Sequence, residues 1–329
     1  MQKEEKSVLI IGLGGIGFRF DQFLPIESYI LSHARAFSSH PNFKIVGGVD
    51  YLLKNRNDFS KLYLCETFSN TIDALKNVSP DIIVVATPTE THLQVIIDIF
   101  INSSPSIIVC EKPLAYSIED AKKILSLCKK NDSSIYVNYM RNSSSVIDDV
   151  SLKIQNKIIE DPFKVVNFYS KGLLNSGSHF IALFNHLFGD PLKVELLNSS
   201  QNKKTGNDFD LDFKIEYLDG EVFFHSLDYL NYFHNSFDIF AKNGLLSYQR
   251  GGEYVKWSSV SKNGIYSEYK TLDESQDNLK SNFKIIQLEF VENLWKKIKR
   301  QPSNICSGDE ALNVMKCINN IIFLRNEKQ

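Results

Sequence analysis

Between residues 7 and 140 the chain alternates short apolar runs with amphipathic stretches. That alternation constrains the fold more than any other feature. "SVLIIG" (7–12), "FKIVGGVD" (43–50), "DIIVVATP" (81–88), "SIIVCEKP" (106–113) and "SIYVNYM" (134–140) read as strands. Their cores are continuously apolar, as in strands covered on both faces of a parallel sheet. Between them, "HARAFSSHP" (33–41) reads as the end of a helix stopped before Pro41. "TIDALKNVSP" (71–80) and "TETHLQVIIDIFIN" (89–102) read as helices, the second capped by Thr89. "SIEDAKKILSLCKKN" (117–131) opens with Ser117 and Asp120 at capping-box spacing. Repeated strand–helix–strand units build a parallel sheet through right-handed crossovers.

The pattern changes near residues 140–145. "SVIDDVSLKIQNKI" (145–158) reads as a helix and "FKVVNFYSKG" (163–172) as extended chain. Turn signals at Asp219-Gly220, Asn243-Gly244 and Gly251-Gly252 then punctuate a meander of antiparallel strands. Helical stretches at about 279–300 and 308–326 close the chain. The expected architecture is α/β plus α+β. Residues 1–142 form a Rossmann-type doubly wound parallel sheet, and residues 143–329 an α+β domain with an open, mainly antiparallel sheet.

A formal net charge of -2 and a single short basic run, "KKIKR" (296–300), give no electrostatic footprint for nucleic acid. The five cysteines, Cys65, Cys110, Cys128, Cys306 and Cys317, form no C-x-x-C pair, which points away from zinc and towards a reducing cytoplasm. The N-terminal apolar run is too short for a signal peptide or a membrane span, so no membrane partner is expected. His33, His40, His186, His225 and His234 show no metal-ligand spacing, and no metal is expected.

"GLGGIG" (12–17) follows the first apolar run and spells G-x-G-x-x-G. In a dinucleotide-binding turn Gly12 permits the tight bend, Gly14 lets backbone approach the pyrophosphate, and Gly17 lets helix and strand pack closely. Gly15 and Ile16 complete that turn. Asp50, ending the second strand, is placed to accept hydrogen bonds from both ribose hydroxyls and to repel a 2′-phosphate, which favours NAD over NADP. The interval from Gly17 to Asp50 is longer than the usual ~20 residues. The excess matches the interruption "FRFDQFLPIESYI" (18–30). That stretch is either a lid or substrate-contacting loop, or a subunit contact or passive excursion.

"CEKPLA" (110–115) and "ATPTETH" (86–92) together resemble the Gfo/Idh/MocA (glucose–fructose oxidoreductase / inositol dehydrogenase) family. "GLLNSGSHFIALFNHLFG" (172–189) is similar to its G-x-L-x-D-x-G-x-H-x-x-D segment, and "SGDEALNVMKCINNIIF" (307–323) to its closing S-x-x-x-A-L helix. The four motifs span nearly the whole chain. The resemblance implies an NAD-dependent sugar oxidoreductase. Thr87, Pro88, His92, Glu111 and Lys112 would lie along the cofactor, with Lys112 facing nicotinamide and substrate. It also implies a sugar or nucleotide-linked sugar as substrate, with surface-glycan synthesis as a setting, and a homo-oligomer formed through the C-terminal sheet. The sequence departs from the family where the two acids fall on Asn175 and Ala182, and where "YVNYMRN" lacks the usual Phe-x-Pro continuation.

Oxidising a secondary alcohol needs a hydride acceptor and a group that removes the hydroxyl proton. Lys112 stands at the carboxyl end of a parallel strand, where ligands bind in such sheets. A cationic neighbour and partial burial lower a lysine's pKa and suit it to proton shuttling, with Glu111 orienting it. His179, four residues after Asn175, is either a second acid–base group or an ordinary buried histidine. Asn175 can hold a hydroxyl but cannot neutralise an imidazolium. Two function classes stay open: an enzyme using Lys112, His179 and Asn175, or a catalytically weak or inactive sugar- or NAD-sensing regulator on the same fold.

Overall fold

The computed structural model describes residues 5–197, 204–205, 208–262, 268–273 and 277–327. The chain divides into two compact units: Met1–Ser143 with Lys284–Leu312, and Ser144–Phe283 with Asn313–Gln329.

The first unit carries β1 (Lys6–Ile11), α1 (His33–Ser39), β2 (Phe43–Val49), α2 (Leu53–Tyr63), β3 (Glu66–Phe68), α3 (Thr71–Asn77), β4 (Ile82–Val85), α4 (His92–Asn102), β5 (Ile107–Cys110), α5 (Ile118–Lys130) and β6 (Ser134–Val137). The six strands run in the order β3-β2-β1-β4-β5-β6, all parallel, which is the doubly wound order of dinucleotide-binding sheets. β4 and β5 are buried at every residue, as their unbroken apolar sequences require. The Ser117 hydroxyl accepts the Asp120 N–H at 3.0 Å and caps α5 as its spacing predicts. α4, by contrast, begins at His92, and Thr89 falls in a preceding 3₁₀ turn without capping it. The helix of "HARAFSS" stops before Pro41 as read, but it begins at His33, so the segment is a whole short helix rather than the end of a longer one.

In the second unit, α6 (Ser145–Gln155) precedes β7 (Phe163–Ser170) and α7 (Ser178–Phe188). The strands β8 (Lys193–Leu196), β9 (Lys204–Thr205), β10 (Asp208–Phe209), β11 (Phe213–Tyr217), β12 (Gly220–Leu227), β13 (Ser236–Ala241), β14 (Gly244–Gln249), β15 (Tyr254–Lys262), β16 (Lys270–Leu272) and β17 (Asp277–Leu279) follow. The main sheet runs β16-β15-β14-β13-β7-β12-β11-β8, with β17 also on β15. Hairpins at Asp219-Gly220 and Asn243-Gly244 and a turn at Gly251-Gly252 form where the sequence signals them. The sheet is not a simple meander, however. β7 lies between β12 and β13, parallel to the first and antiparallel to the second. Its alternating burial gives it an apolar face that both neighbours share, so it takes the centre.

One face of this sheet is aromatic and buried. Phe213 stacks on Phe224 at 4.3 Å and Phe237 on Tyr248 at 4.4 Å. Helix α7 lays Phe184 against Phe224 and Phe237 at 5.7 and 5.1 Å. The other face is open and mixed, with Phe168, Phe240 and Tyr254 exposed among charged neighbours such as Lys164 and Glu221.

α8 (Ile286–Ile298) belongs to the first unit. Phe290, Val291 and Leu294 enter the same core as Val8, Ile10 and Leu13, and Trp295 packs edge-on against Phe43 at 5.6 Å. α9 (Gly308–Glu327) is the last helix. Among the described residues no helix is long and apolar enough to cross a membrane.

Candidate functional site

The carboxyl ends of the first unit's strands gather the residues of interest. Gly12 follows β1, Asp50 follows β2, Ala86 follows β4, Glu111 follows β5 and Asn138 follows β6. Backbone bonds carry the sheet's register one step past the strand ends: Gly12 N–H to Val49 O, Ala86 N–H to Ile11 O and Asn138 N–H to Cys110 O, each at 2.8 Å.

A cavity of about 630 Å³ opens at this end. Gly12, Gly14, Asp50, Thr87 and Pro88 line it, with Tyr51, Asn55 and Asp98 among their neighbours. Its lining carries two aspartates and neither lysine nor arginine. The volume suits a cofactor-sized ligand. The glycines fit the turn's demands. Gly12 has φ +97°, and a Cβ there would lie 2.5 Å from Ala86 O. One on Gly17 would strike the carbonyl of Gly12, whereas one on Gly14 would meet nothing within 4 Å. Backbone at Gly14 is therefore open to a pyrophosphate, as a dinucleotide requires.

Asp50 is 8% exposed and already engaged. Its Oδ2 accepts Leu13 N–H at 2.9 Å and Asn55 Nδ2–H at 3.0 Å, and its Oδ1 accepts Leu52 N–H at 2.8 Å. A carboxylate offers roughly four acceptor positions, so one remains, on Oδ1. Asp50 thus has less free acceptor capacity than its place at the strand end suggests, because the glycine turn and Asn55 use Oδ2.

Gly15, Ile16, Gly17, His92, Glu111 and Lys112 do not line this cavity. Phe20 folds its ring over Gly15, where a Cβ would clash with it. The Ile16 carbonyl accepts His33 N–H at 2.9 Å and the Gly17 carbonyl accepts Ala34 N–H at 3.0 Å. The interruption is thus a loop spliced into a helix. Ile16 bonds to a residue 17 positions on rather than four, so 13 residues are skipped. Without them Asp50 would follow Gly17 by the usual ~20 residues. Asp21, 1% exposed, ties the root of the loop: it accepts Leu31 N–H, Ser32 N–H and the Ser32 hydroxyl, and lies 3.7 Å from Arg35 Nε. Arg35 in turn donates to Leu24 O and Tyr29 O, both at 3.0 Å.

His92, expected along the cleft, is fully buried instead. Its ring nitrogens lie 3.1 Å from Leu114 O and 3.0 Å from Thr87 O, and Cys110 Sγ is 3.4 Å away. It pins the segments after β4 and β5 together. Burial and the neighbouring Glu111 carboxylate push the Cys110 thiol well above its usual range.

Glu111 and Lys112 leave β5 together, and the Lys112–Pro113 peptide is cis. Glu111 Oε1 accepts from His33 Nε2 at 2.8 Å and from Asn138 Nδ2 at 2.6 Å; Oε2 takes Lys112 N–H at 3.3 Å. Burial would raise this carboxyl's pKa, but the His33 and Asn138 bonds and the Lys112 charge bring it below the usual carboxylate range. Neither His33 nor Asn138 emerges from sequence reasoning, because the spliced loop hides His33's place in the helix and β6 ends in no recognised motif.

In the second unit Asn175 lies in a π-helical turn, Leu173–Gly177, that leads into α7, where His179 is buried. Asp208 organises this turn, accepting Leu174 N–H on Oδ1 and Asn175 N–H on Oδ2, both at 2.9 Å. Burial raises the Asp208 pKa against these stabilising bonds. Sequence reasoning missed Asp208, which lies 33 residues from Asn175. Ala182 is buried on the same helix. Among the described residues no group of His, Cys, Asp and Glu is placed to hold a metal ion.

Residues 6–139 match the family model of an oxidoreductase family with an NAD-binding Rossmann fold, Gfo/Idh/MocA. Inositol 2-dehydrogenase of Rubrobacter xylanophilus is 25% identical over 122 residues, a match spanning 37% of this chain and only 31% of that relative. Two solved structures share the fold over almost the entire chain. An oxidoreductase from Agrobacterium radiobacter, crystallised with NAD+, L-tartaric acid and magnesium, has a TM-score of 0.76 at 14% identity, covering 99% of this chain and 97% of its own. The WlbA dehydrogenase from Bordetella pertussis, crystallised with NADH and UDP-GlcNAcA, has a TM-score of 0.75 at 15% identity, covering 100% and 98%. With the glycine turn, Asp50 and the Glu-Lys-Pro strand end in place, residues 6–139 match the NAD-binding Rossmann fold of the Gfo/Idh/MocA oxidoreductase family.

Proposed function

We propose that the protein is an NAD(H)-dependent oxidoreductase acting on a secondary alcohol or ketone of a sugar or nucleotide-linked sugar. The observation that carries this reading is the position of Lys112. It lies two residues past the end of β5, at the sheet end that also carries the Gly12–Asp50 cavity, with its backbone N–H on the largely buried Glu111 carboxylate. NAD, when bound, supplies the hydride acceptor or donor. Gly12 and Gly14 would receive its pyrophosphate and Asp50 one ribose hydroxyl, with Thr87 and Pro88 along its length. Lys112 is assigned to polarise the reacting oxygen and to move its proton. His179 is assigned a second acid–base role, and Asn175, which carries no charge, the holding of a substrate hydroxyl.

A nucleotide-linked sugar is the preferred substrate class, supported by the fold shared with a dehydrogenase crystallised with UDP-GlcNAcA. Subunit contact is assigned to the open sheet face bearing Phe168, Phe240 and Tyr254. Five cysteine thiols outside any disulfide fit a cytoplasmic setting. The test is nicotinamide reduction or oxidation, followed by ultraviolet absorbance, across a panel of free, cyclic and nucleotide-linked sugars. Turnover of at least one supports the enzyme. NAD binding without turnover of any favours the regulatory reading that Asn175 and Ala182 motivate.

A further inference from the structure

His33 is the residue at which the chain re-enters the helix after its 13-residue excursion. Its ring is fully buried, stacked on Phe37 at 6.5 Å and edge-on to Phe290 at 6.3 Å. Its Nε2 is aimed at Glu111 Oε1, 2.8 Å away. Asn138 Nδ2 reaches the same oxygen from the end of β6. Glu111 Oε2 faces the backbone N–H of Lys112. Three parts of the fold therefore converge on one carboxylate: the first helix, the last strand of the sheet, and the peptide carrying Lys112. A carboxylate accepts hydrogen bonds and donates none, so His33 must present a proton on Nε2. If that donor were lost, Glu111 would keep the short Asn138 bond but be free to rotate about it. The Oε2 contact to Lys112 would then loosen.

We infer that His33 is a positioning residue for the proposed reaction: by holding Glu111 Oε1 it fixes the peptide from which Lys112 leaves the sheet. This rests on the assignment of proton handling to Lys112. Positional errors of about 1 Å at a reacting group cost up to ~10²-fold in rate. His33 does not line the cavity; its ring meets Glu111 Oε1 at 2.8 Å and lies 3.4 Å from Asn138 Nδ2, so its effect passes through that carboxylate and its amide partner.

The experiment compares His33→Leu, which removes the donor, with His33→Gln, whose amide can restore it. His33→Leu should lower kcat by ~10-fold to ~10²-fold with NAD affinity changed by less than about threefold. His33→Gln should recover most of the rate. In a Glu111→Gln background the two His33 variants should differ little. Ring-nitrogen NMR of the cofactor-free protein gives a readout independent of activity. Wild type should show a hydrogen-bonded Nε2–H on His33 that shifts in Glu111→Gln, and the Lys112 backbone amide should shift in His33→Leu and return in His33→Gln. Equal rates for wild type and His33→Leu, or equal losses in both His33 variants, would overturn the inference. So would a Lys112 amide indifferent to His33, a result that holds even if no sugar is turned over. Near-normal activity in Lys112→Met overturns instead the assignment of Lys112. Loss in Lys112→Met with none in His33→Leu removes the His33 inference alone.

Discussion

The backbone N–H of His33 donates to the carbonyl of Ile16 at 2.9 Å, across 17 positions of sequence. The helical ladder closes over the gap as though residues 20–32 were absent. Deleting Phe20–Ser32 should therefore join the two halves of the helix in register. The variant should fold with lowered stability, since buried Ile30 and the Asp21 partner of Arg35 go with the loop, but its NAD affinity should stay within about threefold of wild type, because none of residues 20–32 lines the cavity. Calorimetric titration with NAD and circular dichroism check this; a protein that binds NAD only with the loop present would make the loop part of the cofactor site.

Asp21 and Arg35 form the buried pair at the root of that loop. Asp21→Asn leaves the Arg35 charge facing a neutral amide and weakens three hydrogen bonds. Breaking one side of a buried pair typically costs about 3–5 kcal/mol. Thermal unfolding should show a loss of that order, whereas Phe23→Ser at the exposed tip should change stability by no more than ~0.5 kcal/mol.

NAD should bind more tightly than NADP. The cavity wall presents Asp50 and Asp98 and no basic side chain to a 2′-phosphate. Because Asp50 also holds the Leu13 and Leu52 amides, Asp50→Ala should weaken NAD binding as well as narrow the preference. Parallel titrations with both cofactors decide it: equal affinities in wild type contradict the reading.

Lys112→Met should abolish turnover and spare cofactor binding. Loss of general acid–base help is worth typically ~10²–10⁴ in rate. Steady-state kinetics on the identified sugar, beside an NAD titration, separates the two effects.

Glu111 makes part of the stability pH-dependent. Its pKa in the folded protein lies below the ordinary value of 4.5, so its ionised form adds stability above that value. That share is lost as pH falls from about 4.5 through the lowered folded value. Glu111→Gln should be less stable than wild type at neutral pH, and the gap should shrink below pH 4.5. Unfolding midpoints measured across that range test the sign.

Asn175→Ala should raise KM and lower kcat together, since a positioning contact serves both bound states. Asn175→Asp places a charge one helical turn before His179 and should move the pH–rate profile upward by stabilising the imidazolium. Superimposable profiles for wild type and Asn175→Asp would remove residue 175 from the proton-transfer machinery.

Local pattern made much of this legible. The β1–glycine turn, the Glu-Lys-Pro strand end, the Ser117 cap and the two hairpins rest on neighbours in sequence, and each forms where it reads. What stayed hidden depends on partners far along the chain. β7 looks like any half-buried strand until β12 and β13 claim its two edges. Asp50 looks like a free ribose acceptor until Leu13 and Asn55 take one of its oxygens. His33 looks like a stray histidine because the residue that completes its helix is Ile16, and Asp208 reaches the Asn175 turn from a strand that no local signal connects to it.

The return of α8 to the first unit has a consequence for biosynthesis. Phe290, Val291, Leu294 and Ile305 complete a core begun by Val8, Ile10 and Leu13. During translation the cofactor domain must wait, with that apolar surface uncovered, until nearly the entire chain has left the ribosome. The second unit has most of its chain, Ser144–Phe283, out before α8, and its last segment, Asn313–Gln329, follows. A fragment cut at residue 143 is therefore not a cofactor domain but an unfinished nascent chain, open where α8 should lie and dependent on chaperones to stay in solution.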